Sequence, residues 1–257
     1  MRIAISGTAN QGKSTLIADF LKNWPNYKLE NTDYRAILKE ENLPHSKKTT
    51  QDVQWKILNV MVEELQKHKK GSNVIFDRCP LDNLVYSLWS CDKKKGKIDE
   101  EFISKCIPVV KESLRHLDII LFLPITKVAP VEIKENGVRE TDEVYVKEID
   151  ALFKSLINQY KYGLNRTPFF PKDDCPAIIE IFGNPIERIQ MIKWYLDNDG
   201  DLIGGDVNSS DNLFNPENLN EMAKLLESQK KKQKDEVAYA GEIAKIKDFV
   251  KKTKSKF

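Results

Sequence analysis

The chain alternates two kinds of apolar pattern. Ile3, Ala4 and Ile5 form a short run with nothing polar to alternate against, as expected of a strand buried on both faces. "NVIFDR" (73–78), "DIILFLP" (118–124) and "AIIEIFG" (177–183) read as further strands, and "YKLEN" (27–31) as a shorter one. Between them the spacing turns helical. Leu16, Ile17, Phe20 and Leu21 share one face of a helix from Lys13 to about Trp24. Val53, Ile57, Val60, Met61 and Leu65 mark a helix that starts near Thr50 and is stopped by Gly71. Pro80 suits the first turn of the next helix, and another runs from about Asp99 to Leu114. A loop at about 125–140 precedes a long helix through Val144, Ile149, Phe153, Ile157 and Tyr160, and Pro185 opens the last one. Repeated βα units imply an α/β fold with a parallel sheet and helices on both faces. Ligands then lie at the carboxyl ends of the strands.

The first strand and helix are joined by Gly7-Thr8-Ala9-Asn10-Gln11-Gly12-Lys13-Ser14, which fits G-x-x-x-x-G-K-[ST] in the required strand–loop–helix context. Gly7 through Ser14, with Thr15, are therefore expected to bind a nucleotide polyphosphate through backbone N–H groups and the helix N-terminus. Lys13 is expected to face solvent and lie against the β/γ-phosphates of ATP, and the Ser14 hydroxyl to hold Mg²⁺.

Charge and cysteine usage change little. The 257 residues carry 41 Lys+Arg against 39 Asp+Glu, so net charge predicts no partner. Four scattered cysteines and three histidines give no zinc pattern. Reduced thiols and a cytoplasmic location follow as expectations, and no apolar run reaches membrane-spanning length. After Leu196 the composition shifts. Residues 197–215 read as an acidic linker and 216–257 as a helical, lysine-rich segment. "DNDGDLIGGD" looks like part of a calcium loop, but Tyr195 falls where the first carboxylate belongs. Trp55, Trp89 and Trp194 sit on apolar helix faces and read as core, with base stacking the alternative for Trp55 or Trp89.

Within the phosphate-loop class, N-K-x-D and D-x-x-G are both missing, which argues against a guanine-nucleotide switch. A ring-forming motor needs a helical lid domain and arginine sensors, for which the chain leaves little room. A small-molecule or nucleotide kinase remains. Asp77 ends strand three, where it either orients Mg²⁺ through water or accepts the acceptor's proton. Arg78 offers a fork suited to phosphate. Arg139, before the long helix, sits where a mobile lid (about 125–145) closes over the transferring group; it also reads as a solvated partner of Glu140 or Asp142. In "NTDYRAIL", Asp33 is either the general base or the N-cap of a helix at Tyr34, and Arg35 can grip acceptor phosphate. Gln51 and Gln54 either contact an acceptor base or are exposed helix polar residues.

"GTANQGKST", "TDYR", "DRCPLDNLVYSLW" and "VRETDEVYVKEIDALF" occur in this order. Over residues 1–196 the chain resembles the phosphate-loop kinases related to the ribosylnicotinamide kinase domain and to thymidylate kinase. Within these it looks most like bacteriophage members, which include the 5-hydroxymethyluridine DNA kinases. The resemblance implies a five-stranded sheet of order 2-3-1-4-5 in a kinase domain spanning 1–196, and transfer of the ATP γ-phosphate to a nucleoside-type hydroxyl. It matches Asp77 and Arg78 to the family's strand-three pair and Arg139 to its lid arginine. Asp82, in the same run as Arg78, joins Arg35, Arg78 and Gln54 on the acceptor side. The acceptor it implies is a nucleotide or a modified pyrimidine in DNA. A free nucleoside or mononucleotide kinase, and a nucleotide-gated DNA-binding ATPase, stay open beside it, as does the oligomeric state.

Overall fold

The computed structural model describes residues 1–30, 48–127, 142–162, 168–203 and Lys224. Five strands, β1 (Arg2–Ser6), β2 (Lys28–Glu30), β3 (Val74–Asp77), β4 (Ile119–Phe122) and β5 (Ala177–Glu180), form one sheet of order β2-β3-β1-β4-β5. Every pairing is parallel. Among the described residues six α-helices cover it: α1 (Lys13–Asn23), α2 (Gln51–Gln66), α3 (Pro80–Asp92), α4 (Glu100–Ser113), α5 (Glu143–Tyr162) and α6 (Pro185–Lys193). A 3₁₀ turn, Leu114–His116, follows α4.

The uninterrupted apolar runs are explained by two separate cores. Ala4, Val74, Phe76, Ile120 and Phe122 point to one face and pack with residues of α2, α3, α4 and α5. Ile3, Ile5, Ile75, Ile119 and Leu121 point to the other and pack with α1 and α6. With period-two side chains buried on both sides, no polar residue can alternate. Burying one such side chain contributes about 1.5–3 kcal/mol.

Local signals set the helix starts. Thr50 accepts from Val53 N, Asp99 accepts from Phe102 N, and Asn184 accepts from Ile186 N and Glu187 N. Each cap contributes ~1 kcal/mol. Pro80 and Pro185 occupy first-turn positions, where the missing N–H costs nothing. One end differs from expectation. The α2 helix stops at Gln66, well before Gly71, because Lys67 N and His68 N bond back to Glu64 O and Leu65 O, three residues away.

Residues 197–203, at the start of the expected acidic linker, form a docked turn. Asp197 Oδ1 accepts from Asp199 N and Asp201 N, both at 2.9 Å, and Leu196 bridges Leu202. Three side chains between α1 and β2 then hold the turn's carbonyls. Trp24 Nε1 donates to Asp197 O (2.7 Å), Asn26 to Asp199 O (2.7 Å) and the Tyr27 hydroxyl to Gly200 O (2.6 Å). Gly200 has φ 82°, and a Cβ there would come within 2.5 Å of the Tyr27 ring, so only glycine fits. The remainder of 197–215, and 216–257 apart from Lys224, lie outside the described residues.

Candidate functional site

The phosphate loop occupies the carboxyl end of β1, the central strand, as the motif requires. Gly7 starts it with φ 139°, and a Cβ there would stand 2.7 Å from Leu123 O. The loop can therefore leave the strand only by passing flush against the end of β4. Asn10 and Gly12 are left-handed (φ 62° and 72°), which turns the backbone so that α1 begins at Lys13. Ser14 and Thr15 are exposed at the first turn of α1, where a helix N-terminus favours anions. Thr8 is buried and donates its hydroxyl to Val146 O (3.1 Å), tying the loop to α5.

Lys13 is not solvent-facing. It is buried, and its ammonium donates to the carbonyls of Gly7 (2.9 Å) and Thr8. The four-carbon stem folds the charge back over the loop, where carbonyls replace water as acceptors.

Strand β3 lies beside β1, with Asp77 level with Ile5. This places Asp77, half-buried, at the strand end next to the phosphate loop, as the sequence suggested. The following residue turns sharply: Arg78 has φ 87°, an uncommon conformation for a side chain of this size. That turn carries Arg78 under the loop. Its guanidinium donates to Gly7 O (3.2 Å) and Asp82 Oδ1 (2.8 Å) and lies over the Tyr86 ring.

Asp82, expected at the acceptor, is 1% exposed. Its carboxylate is taken up by the protein. Oδ2 accepts from Ser6 Oγ (2.6 Å) and Cys79 N (3.1 Å), and Oδ1 from Arg78 and, at 3.4 Å, Gly7 N. Asp82 thus joins the end of β1, the start of the loop and the first turn of α3 at one point. It is a positioning residue for the loop. Burial, and then the Asp82 charge, push the neighbouring Cys79 thiol up to about 12.

Gln54, also expected at the acceptor, is buried between α2 and α3. Its amide donates to Thr49 Oγ1 (3.1 Å) and its Oε1 accepts from Asn83 (2.6 Å). The helix polar residue is neither exposed nor open. Asn83 was not singled out from the sequence, although it directly follows Asp82 in the same run. Trp89 is buried and donates to Glu148 (2.7 Å), while Trp55 packs edge-on against Phe102. Asp33, Arg35 and Arg139 lie outside the described residues.

A further residue closes on the loop from the opposite side. Arg188 of α6 is 5% exposed. It donates Nε to Gly183 O (2.9 Å) and one terminal nitrogen to Gln11 O (2.6 Å). That nitrogen also stands 3.1 Å from where a Cβ on Gly12 would be. Burial draws its guanidinium below the ordinary arginine value, and no carboxylate pairs with it among the described residues. Nothing in the sequence near Arg188 marks it, since its partner is 177 residues away.

Ser14 and Asp77 fit a hard cation, offering an exposed hydroxyl and a strand-end carboxylate at the same edge of the sheet. Among the described residues no helix is long and apolar enough to cross a membrane.

Comparison with known proteins places this geometry. A search of curated proteins returns no match. Among solved structures, thymidylate kinase from Candida albicans aligns with a TM-score of 0.53 at 18% identity, over 75% of this chain and 88% of that one. The folds are the same. Deoxyadenosine kinase from M. mycoides with bound dATP aligns at 0.47 and 24% identity, over 68% of this chain and 91% of that one. The NadR protein in complex with NR aligns at 0.49 and 15% identity, over 71% of this chain, which spans 46% of the NadR chain. The model of the AAA_28 family, described as an AAA domain, matches residues 2–169. Among the described residues beyond that match lie only β5, α6 and the docked turn. Because the match runs unbroken from β1 to beyond the end of α5, well over half of the chain, the protein belongs to the AAA_28 family of AAA domains.

Proposed function

We propose that the protein is an ATP-dependent kinase that phosphorylates a hydroxyl of a pyrimidine nucleotide. The observation that carries this reading is the phosphate loop on the central strand with a carboxylate, Asp77, at the end of the adjacent strand. That pair supplies what phosphoryl transfer requires: a cradle for the polyphosphate and an acid beside it. Ser14 and Asp77 would hold Mg²⁺, which neutralises phosphate charge when bound. The chain's own part is positioning. Loop amides and the start of α1 hold the β- and γ-phosphates, and the Lys13 ammonium moves from loop carbonyls to phosphate oxygens. The acceptor hydroxyl loses its proton to Asp77 or Asp33 as its oxygen bonds the γ-phosphorus and ADP leaves. Arg139 closes over the transferring group, and Arg35 holds the acceptor.

For the acceptor we propose the 5-hydroxymethyl group of 5-hydroxymethyluracil in DNA. The order of the four motifs supports this, as does the lysine excess of residues 229–257, which suits phosphate backbones. A free deoxynucleoside or its monophosphate is the second acceptor, favoured by the shared fold with thymidylate kinase. Radiolabelled ATP decides, offered with 5-hydroxymethyluracil DNA, ordinary DNA, free nucleosides and mononucleotides. Label in the modified DNA alone supports the first acceptor, and label in monomers alone the second. Full activity in a folded Lys13→Ala protein removes the kinase assignment. ATP hydrolysis without labelled acceptor would make it a nucleotide-gated ATPase instead.

A further inference from the structure

Away from the phosphate loop, three side chains converge on the edge of the sheet. Glu30 is the last residue of β2, Glu64 lies in the last turn of α2, and His68 lies two residues past its end. His68 Nε2 stands 3.8 Å from Glu64 Oε1 and 3.9 Å from Glu30 Oε1, and all three atoms lie within 4.8 Å of one another. These separations are too long for hydrogen bonds. His68 Nε2 is nevertheless shut off from solvent and has no hydrogen-bond partner. The ring is held edge-on against Phe76, which aims Nε2 at the two carboxylates. Lys67 takes the other oxygen of Glu64 (2.6 Å), leaving Oε1 to face the histidine.

We propose that Glu30, Glu64 and His68 form a binding site for a divalent transition cation of the zinc type. A tetrahedral ion with bonds of about 2.0–2.1 Å holds its ligand atoms roughly 3.3 Å apart, so each of the two histidine–carboxylate separations needs to close by about half an ångström. An imidazole nitrogen with two carboxylate oxygens suits zinc, cobalt or nickel better than the hard cations Mg²⁺ and Ca²⁺, which take oxygen ligands. Water fills the fourth position. The ion satisfies the buried Nε2 and ties β2, a three-residue edge strand, to α2.

The full-length chain, stripped with a chelator and free of nucleotide and Mg²⁺, is titrated with Zn²⁺ against a chromophoric competitor and with Co²⁺ in the visible. One equivalent of Zn²⁺ should bind, raise the melting temperature by mass action, and be replaced by Co²⁺ with the intense visible bands of a tetrahedral site. Loss of an outer-shell partner costs 10–100-fold in affinity, so His68→Ala, which removes a ligand, should cost at least about 100-fold. Glu30→Gln, at a more exposed position, keeps the test open if His68→Ala fails to fold. Lys13→Ala should bind Zn²⁺ as the wild type does, so the outcome is independent of the kinase reading. If no equivalent binds, the trio is an ordinary contact between β2 and the end of α2, and the proposal falls. If binding survives in His68→Ala, Glu30→Gln and Glu64→Gln alike, the ion sits elsewhere, on the free cysteines for example, and the proposal falls.

Discussion

Two buried arginines press on the phosphate loop from opposite faces of the sheet, and they are held in different ways. Arg78 reaches Gly7 O from the α3 side and is paired with the buried carboxylate of Asp82. Arg188 reaches Gln11 O from the α6 side and finds only carbonyls. The first is part of a neutralised network. The second leaves a positive charge in low dielectric behind the loop, where desolvation already disfavours it. A polyphosphate in the loop would supply the missing negative charge. The comparison sets an expectation: Arg78 holds the loop's shape, while Arg188 raises its affinity for anions.

The largest effect should come from breaking the paired side. Asp82→Ala leaves Arg78 without its carboxylate and removes the acceptor of Ser6 and Cys79. Breaking a buried pair in this way costs ~3–5 kcal/mol, which urea denaturation of the variant would show. A loss below about 1 kcal/mol would mean that Arg78 repairs itself with water and that the network is not what shapes the loop. Gly7→Ala comes next. It forces a Cβ against Leu123 O in a backbone region that L-residues rarely adopt, and we expect a loss of about 2 kcal/mol or more together with weakened nucleotide binding.

Arg188→Met should behave in the opposite sense to Asp82→Ala. Removing an unpaired buried charge should leave stability within about 1 kcal/mol of the wild type or raise it, while affinity for ADP falls about tenfold. Calorimetric titration with ADP and with adenosine separates the two contributions, since adenosine should lose little. An unchanged ADP affinity would make Arg188 a packing residue. The smallest effect is chemical. The Cys79 thiol, pushed up to about 12 by burial and the Asp82 charge, should resist alkylation at pH 8 in the wild type and in Arg188→Met, because the thiolate is the reactive form. Asp82→Asn should react measurably faster. Equal rates would uncouple Cys79 from the network.

How much of this was legible from sequence follows from the range of each interaction. The phosphate loop, the caps at Thr50 and Asp99 and the proline starts at Pro80 and Pro185 are local signals, and the structure has them where the spacing put them. Two-sided burial wrote β1, β3 and β4 as unbroken apolar runs, so the middle of the sheet was readable as well. Asp77 was placed correctly because strand order alone fixes it. Asp82 and Gln54 were seen as chemistry, but not their commitment to Ser6, Arg78, Asn83 and Thr49, which depends on how α2, α3 and β1 meet. Lys13 was expected outward because its motif is written for a bound nucleotide, whereas here the loop's own carbonyls receive the ammonium. Arg188 was illegible because a buried arginine on an amphipathic helix looks like any other charged residue until its distant partner is known.

The docked turn at 197–203 is fastened to one end of the sheet. Trp24 and Tyr27, which hold it, lie between α1 and the start of β2, and the Tyr27 hydroxyl also meets the Met1 amine. This is the amino-end edge of a parallel sheet whose carboxyl ends carry the phosphate loop. The turn therefore sits at the pole opposite the loop. A shortened chain meant to test residues 204–257 should end after Ile203. Ending it at Leu196 would strip the carbonyls from Trp24, Asn26 and Tyr27, and damage to that anchor would then be read as an effect of the residues beyond it.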